Sequence, residues 1–103
     1  MNNEKTTEAL NFLQEECGEL IVIASKVKRF GEHSENPEQP GSTAGERLIQ
    51  EMGDVTCLMN IIQHQLGISD LALMQAVQLK QEKLNKYSKH LGEPHAIQNN
   101  SGG

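Results

Sequence analysis

The sequence predicts an all-α fold, and three observations predict it. Every strong apolar periodicity along the 103 residues repeats at three and four, the helical spacing. Each periodic segment is bounded by glycine or by a residue that caps helices. Only one long stretch rich in Pro and Gly interrupts the pattern between the first two segments. A chain of this length sets an expectation of one domain. Such a domain buries a modest fraction of its surface, so self-association is expected to complete the bundle.

The first helix is expected from about Thr7 to Phe30, where Leu10, Leu13, Cys17, Leu20, Ala24 and Val27 form one stripe. Gly31 ends it. The next stretch, "GEHSENPEQPGSTAG", holds two prolines and three glycines and reads as a loop. Loops of this length without structure of their own are often functional or disordered. Thr43 and Glu46 have the spacing of a capping box for a second helix, roughly Ala44 to Leu66. Its apolar stripe is Leu48, Met52, Val55, Met59, Ile62 and Leu66. Gly67 terminates it, and Ser69 can cap a third helix from Asp70 to about Leu91. The domain is thus expected over residues 1–91, with 92–103 as a flexible tail.

Composition narrows the function. The formal charge is -5 with nine Lys and Arg, an acidic balance that argues against a nucleic-acid polymer as partner and suits cations. No apolar run is long enough to span a bilayer, and "MNNEKTTEAL" lacks the apolar core of a signal peptide. Cys17 and Cys57 have no CxxC spacing and read as free thiols of a reducing compartment. A cytoplasmic location is the expectation.

A helical wheel then sets a question. Beside the first stripe runs a second one, Phe12, Glu16, Glu19, Ile23 and Phe30, in which two acids are bracketed by apolar residues. Helix two repeats the arrangement with Glu51, Asp54, Leu58 and Ile61. "LQEECGEL" (13–20) and "LIQEMGDV" (48–55) align without gaps, matching Glu16 with Glu51, Gly18 with Gly53 and Glu19 with Asp54. Like charges so close repel unless something positive offsets them. If the helices pair, four carboxylates converge and raise one another's pKa until cations neutralise them. All-oxygen ligation suits Mg²⁺ or Mn²⁺ rather than zinc, and a hard cation with open water positions grips phosphates. Gly18 and Gly53 each cost roughly 1 kcal/mol in a helix interior relative to Ala, which close approach of a helix or ligand would explain.

The pair Glu15-Glu16-x-x-Glu19 and Glu51-x-x-Asp54 resembles the MazG-like nucleotide pyrophosphohydrolases of the all-α NTP pyrophosphatase superfamily, over roughly residues 8 to 90. The resemblance implies that Glu16, Glu19, Glu51 and Asp54 bind Mg²⁺ and that Glu15 assists the site or its water. It further implies cleavage of (d)NTPs between the α and β phosphates, giving a nucleoside monophosphate and pyrophosphate. One departure is the inter-motif loop, Glu32 to Gly45, longer and more polar than in compact members. The resemblance also suggests that Lys80 and Lys83, at i and i+3 on helix three, reach the triphosphate; a solvated basic face is the alternative. Lys26 follows Glu19 by seven on one face and is a candidate phosphate contact, and Phe12 a candidate for stacking on the base. The four histidines have no metal-site spacing, and the absence of ExxH weakens a di-iron reading. A homo-oligomer, dimer or tetramer, is expected because each of the first two helices carries more apolar arc than one neighbour covers. The competing reading is a non-catalytic helical dimerisation or nucleotide-binding module with the acids on its surface.

Overall fold

A computed structural model describes residues 3–93. Those residues are all-α: α1 spans Glu4–Phe30, α2 Ala44–Gln65 and α3 Asp70–Tyr87, with no strand beyond a single antiparallel bridge between Glu35 and Thr43. None of the described helices is long and apolar enough to cross a membrane. The chain divides into two compact units, the first ending at Gly67 and the second beginning at Ile68.

The first unit is an α1/α2 hairpin. Thr6 Oγ1 donates to Gln65 Oε1 at 3.4 Å at one end, and Gly45 N donates to the Glu32 carbonyl at 2.7 Å at the other. The two helices are therefore antiparallel. A ladder of buried or half-buried residues runs along α1 through Thr6, Ala9, Leu13, Glu16, Leu20, Ile23 and Val27, with Cys17 and Lys26 half-buried beside it. Along α2 it runs through Ala44, Leu48, Glu51, Val55, Leu58, Ile62 and Gln65, with Gly45, Arg47, Ile61 and Gln63 half-buried beside it. Both series alternate steps of three and four without interruption, as in a coiled-coil seam. This corrects the expected stripes. Leu10, Ala24, Met52, Met59 and Leu66 are exposed, while Ile23, Leu58 and both glutamates lie in the seam. A stripe chosen for apolarity excludes Glu, and a 3.6-residue wheel drifts about 20° per heptad from a 3.5-residue seam.

The helix ends follow local chemistry. Asn3 accepts from Thr6 N at 2.9 Å, so α1 begins three residues earlier than its apolar pattern does. Gly31 closes it with φ 93°, a conformation that favours glycine. The capping box forms as read: Glu46 N donates to Thr43 Oγ1 at 3.1 Å, and Thr43 N to Glu46 Oε1 at 2.8 Å. The bond from the Thr43 backbone, helped by its hydroxyl, holds the Glu46 carboxyl below its usual pKa. The connecting loop has structure of its own. Ala44 N donates to the Ser34 carbonyl, Glu38 N to Asn36 Oδ1 and Gly41 N to Glu35 Oε1, all within 2.9 Å. A Cβ at Gly45 would stand 3.0 Å from the Glu32 carbonyl oxygen, so glycine lets the loop close against α2.

In the second unit, Ser69 caps α3 by accepting from Ala72 N at 3.0 Å. The helix stops at Tyr87 rather than Leu91. Ser88 turns extended, and its hydroxyl accepts from His90 N and Leu91 N, offering the backbone an alternative to the helix. Residues 91–93 then fold back on α3: Gln81 Nε2 donates to the Leu91 carbonyl at 3.1 Å and Glu93 N to Asn85 Oδ1 at 2.8 Å. Gly92 and Glu93 are thus held rather than tail-like, and the rest of the expected tail lies outside the described residues. No residue of α3 is buried.

Candidate metal centre

Position 16 and position 51 are steps of the seam ladder, places where heptad packing favours an apolar side chain. Glutamate occupies both. Each carboxylate is drawn between the helices by its own backbone register, flanked along the ladder by Leu13 and Leu20 on α1 and by Leu48 and Val55 on α2. Asp54, one turn beyond Glu51, reaches the same point from the exposed flank. One carboxylate oxygen from each of Glu16, Glu51 and Asp54 lies within 4.8 Å of the other two.

The electrostatics follow from that geometry. Glu16 is pushed up from 4.5 to about 7. A hydrogen bond with Glu51 contributes most, and only a protonated carboxyl can donate it. Desolvation and the charges of Glu19, Glu51 and Asp54 act in the same direction. When both glutamates are ionised neither carries a donor. Glu16 Oε1 and Glu51 Oε2 are then buried acceptors without a partner among the described residues. Buried polar atoms are normally satisfied, so these two oxygens call for a proton, a water or a cation.

Of the four acids expected to bind metal, Glu16, Glu19, Glu51 and Asp54, three form the trio. Glu19 is exposed, close enough for its charge to raise Glu16, and stands on the wall of an adjoining cleft. The aligned motifs are therefore not equivalent in space: Asp54 joins the trio and its counterpart Glu19 does not. The cleft, about 380 Å³, is also bordered by Glu15, Glu51, Lys26 and Arg47. Lys26 lies beside Glu19 and Glu51 as its helix phase implies, and Glu15 borders the same cleft although its phase points it further round. Phe12 is half exposed and lines neither this cleft nor the cavity next to it. Lys80 and Lys83 are exposed on α3, in the second unit.

The expectation that Gly18 and Gly53 admit a close helix neighbour is overturned. A Cβ at either would meet nothing within 4 Å apart from its own helix. Sequence reading also missed Arg47. Its signal was available: a cation in the first turn of a helix opposes the macrodipole, and this one precedes Glu51 by four on the same face. Cys17 and Cys57 are free, as expected.

No family model, curated protein or solved structure matches this chain. The reading of the site therefore rests on its own geometry and on the motif pair.

Proposed function

We propose that the chain is a Mg²⁺-dependent nucleoside triphosphate pyrophosphohydrolase, with Mn²⁺ as a possible substitute, releasing a nucleoside monophosphate and pyrophosphate from (d)NTPs. The observation that carries the reading is the carboxylate trio at the helix seam, with buried oxygens on Glu16 and Glu51 that have no partner among the described residues. The donor set fits a hard cation, being carboxylate oxygen alone, without Cys or His. Glu16, Glu51 and Asp54 would hold it, with Glu19 at the margin. A bound cation supplies charge neutralisation on the phosphates and a lowered pKa for water.

The chain's own residues do the rest. Lys26 and Arg47, on the cleft wall beside the acids, attract the triphosphate and hold it against them. Glu15 takes the proton that an attacking water gives up. Water oxygen bonds to one phosphorus of the α–β anhydride, that phosphorus's bond to the bridging oxygen breaks, and the other half departs with the bond's electrons: pyrophosphate for attack at the α phosphorus, nucleoside monophosphate for attack at the β. The cleavage position comes from the resemblance of the motif pair to MazG-like enzymes. Ile21 and Ile49, 70% and 69% exposed on α1 and α2, support a homo-oligomer as the active form. A surface-acid dimerisation module is the weaker reading, because two of its acids would sit unpaired in a packed seam.

The test is a (d)NTP panel assayed for phosphate with and without added inorganic pyrophosphatase. The reading predicts signal only with the coupling enzyme, and none in excess EDTA. Nucleoside diphosphate and orthophosphate as first products would overturn it.

A further inference from the structure

Lys26 and Arg47 belong to two cavities at once. On one side they border the cleft that holds Glu15, Glu19 and Glu51; on the other they border a cavity of about 350 Å³ formed by Phe30 and the loop residues Ser34 to Pro37. Such a volume is within the usual range for a small-molecule site, about 300–1,000 Å³. The order along the hairpin is therefore acids, then two cations, then an aromatic and an amide.

Arg47 has no structural explanation of its own. It is half-buried, and among the described residues no carboxylate stands within ion-pair distance of it or of Lys26. One guanidinium N–H donates to Gln39 Oε1 at 2.8 Å, whereas Nε is buried without a partner. A guanidinium carries five N–H donors, so most of its capacity is unused, and an anion is what it matches best.

The second cavity is chemically different from the first. Asn36 is half-buried, and its Oδ1 accepts from Glu38 N at 2.9 Å, which assigns the amide orientation and leaves its NH₂ without a partner among the described residues. Phe30 is 61% exposed at the end of α1, its ring in contact with the Arg29 guanidinium at 4.8 Å. Glu35 places a carboxylate there, which disfavours a phosphate and suits amino groups. The loop is pre-shaped by its bonds from Ala44 N, Gly45 N and Gly41 N, so a ligand would meet a formed wall rather than order a floppy one.

We propose that the Phe30–Ser34–Asn36–Pro37 cavity is the nucleoside subsite, with Lys26 and Arg47 gripping the phosphate where the two cavities join. This rests on the nucleoside triphosphate reading above and makes the inter-helix loop the element that reads the base. Phe30 offers a face for stacking, and the Asn36 NH₂ donates to a base carbonyl or ring nitrogen.

Two probes separate the parts: α,β-imido-dNTPs, which resist cleavage, and inorganic tripolyphosphate, which has no nucleoside. Both are titrated calorimetrically with Mg²⁺ into the full chain. Arg47→Ala is expected to weaken both by about 10-fold or more. Phe30→Ala and Asn36→Ala are expected to weaken the imido-dNTPs roughly 10-fold and leave tripolyphosphate within twofold. Circular dichroism verifies that each variant keeps its helices. Phe30→Ala and Asn36→Ala leaving dNTP affinity unchanged, or weakening both probes equally, overturns the subsite. Wild-type protein that binds neither probe overturns it as well. Should the expected pattern appear while wild type hydrolyses no dNTP, the subsite stands and the hydrolase reading fails.

Discussion

The ends of the α1/α2 seam and its middle obey the same register with opposite chemistry. Toward the ends the ladder buries Thr6, Ala9 and Ile62, or Ile23 and Ala44, and is neutral throughout. In the middle the same kind of position carries Glu16 and Glu51, and Asp54 converges on them. Apolar burial contributes roughly 1.5–3 kcal/mol per large side chain, so the neutral steps hold the hairpin together. The acidic step opposes that once both glutamates are ionised, because two carboxylates then share a half-buried point without a donor between them. The neutral steps are scaffold, and the acidic step is the candidate site.

The comparison breaks first where the effect is largest. Glu16→Gln and Glu51→Gln should each reduce turnover about 100-fold or more, at least the loss typical of disturbing a metal's outer partners. Their apo forms should melt no lower than wild type, since the substitution removes repulsion from the acidic step. Collapse of the helical dichroism in either variant would mark the acids as structural instead. Ile23→Ala changes a neutral step of the same ladder and should have the opposite sign in stability. Its chemical denaturation should register a loss of about 2–5 kcal/mol. A loss below about 1 kcal/mol would mean that this end of the seam is not the scaffold.

A smaller effect belongs to the entry of α2. Thr43→Ala removes the acceptor for Glu46 N and should cost about 1 kcal/mol of stability, read from the denaturation midpoint. No change would show that the capping box is dispensable to the helix carrying Glu51 and Asp54.

The pH dependence sharpens the same contrast. Folding raises the Glu16 pKa from 4.5 to about 7, so the folded chain binds more protons than the unfolded chain between those values. The Glu16 contribution to stability without divalent cation should therefore be fullest below about pH 4.5 and be lost as pH rises through 7. Urea midpoints of wild type minus those of Glu16→Gln isolate this group from the other acids. A difference that rises from pH 5 to 7.5 would contradict the assignment.

Much of this fold was legible because helices announce themselves at their ends. Thr43, Glu46 and Ser69 cap as their spacing implies, and Gly31 adopts the φ that its position after the helix suggests. The acids were legible as a pair of motifs, since helical phase places residues three apart on one face. Their depth was not. Treating Glu16 and Glu51 as a flank beside the apolar stripe assumed that the seam follows hydrophobicity. The seam follows a 3.5-residue register, whatever occupies it. The asymmetry between Glu19 and Asp54 was equally hidden, because it depends on how one helix meets the other. The folded loop escaped for a related reason, since its backbone bonds to Ser34 and Glu32 close only once α2 lies against α1, whereas the signal at Arg47 was present in the sequence and went unused.

The central claim is that the acidic step of the seam is a cation site, and thermal unfolding with and without Mg²⁺ tests it most directly. Wild type and Glu51→Gln are melted side by side at pH 7.5, above the raised pKa of Glu16. Mg²⁺ at about 100 times its dissociation constant should stabilise wild type by about 2.7 kcal/mol, seen as a clear upward shift in Tm. Glu51→Gln should start at or above the wild-type apo Tm and respond weakly to Mg²⁺. Equal Mg²⁺ shifts in the two proteins, or none in wild type, would contradict the account.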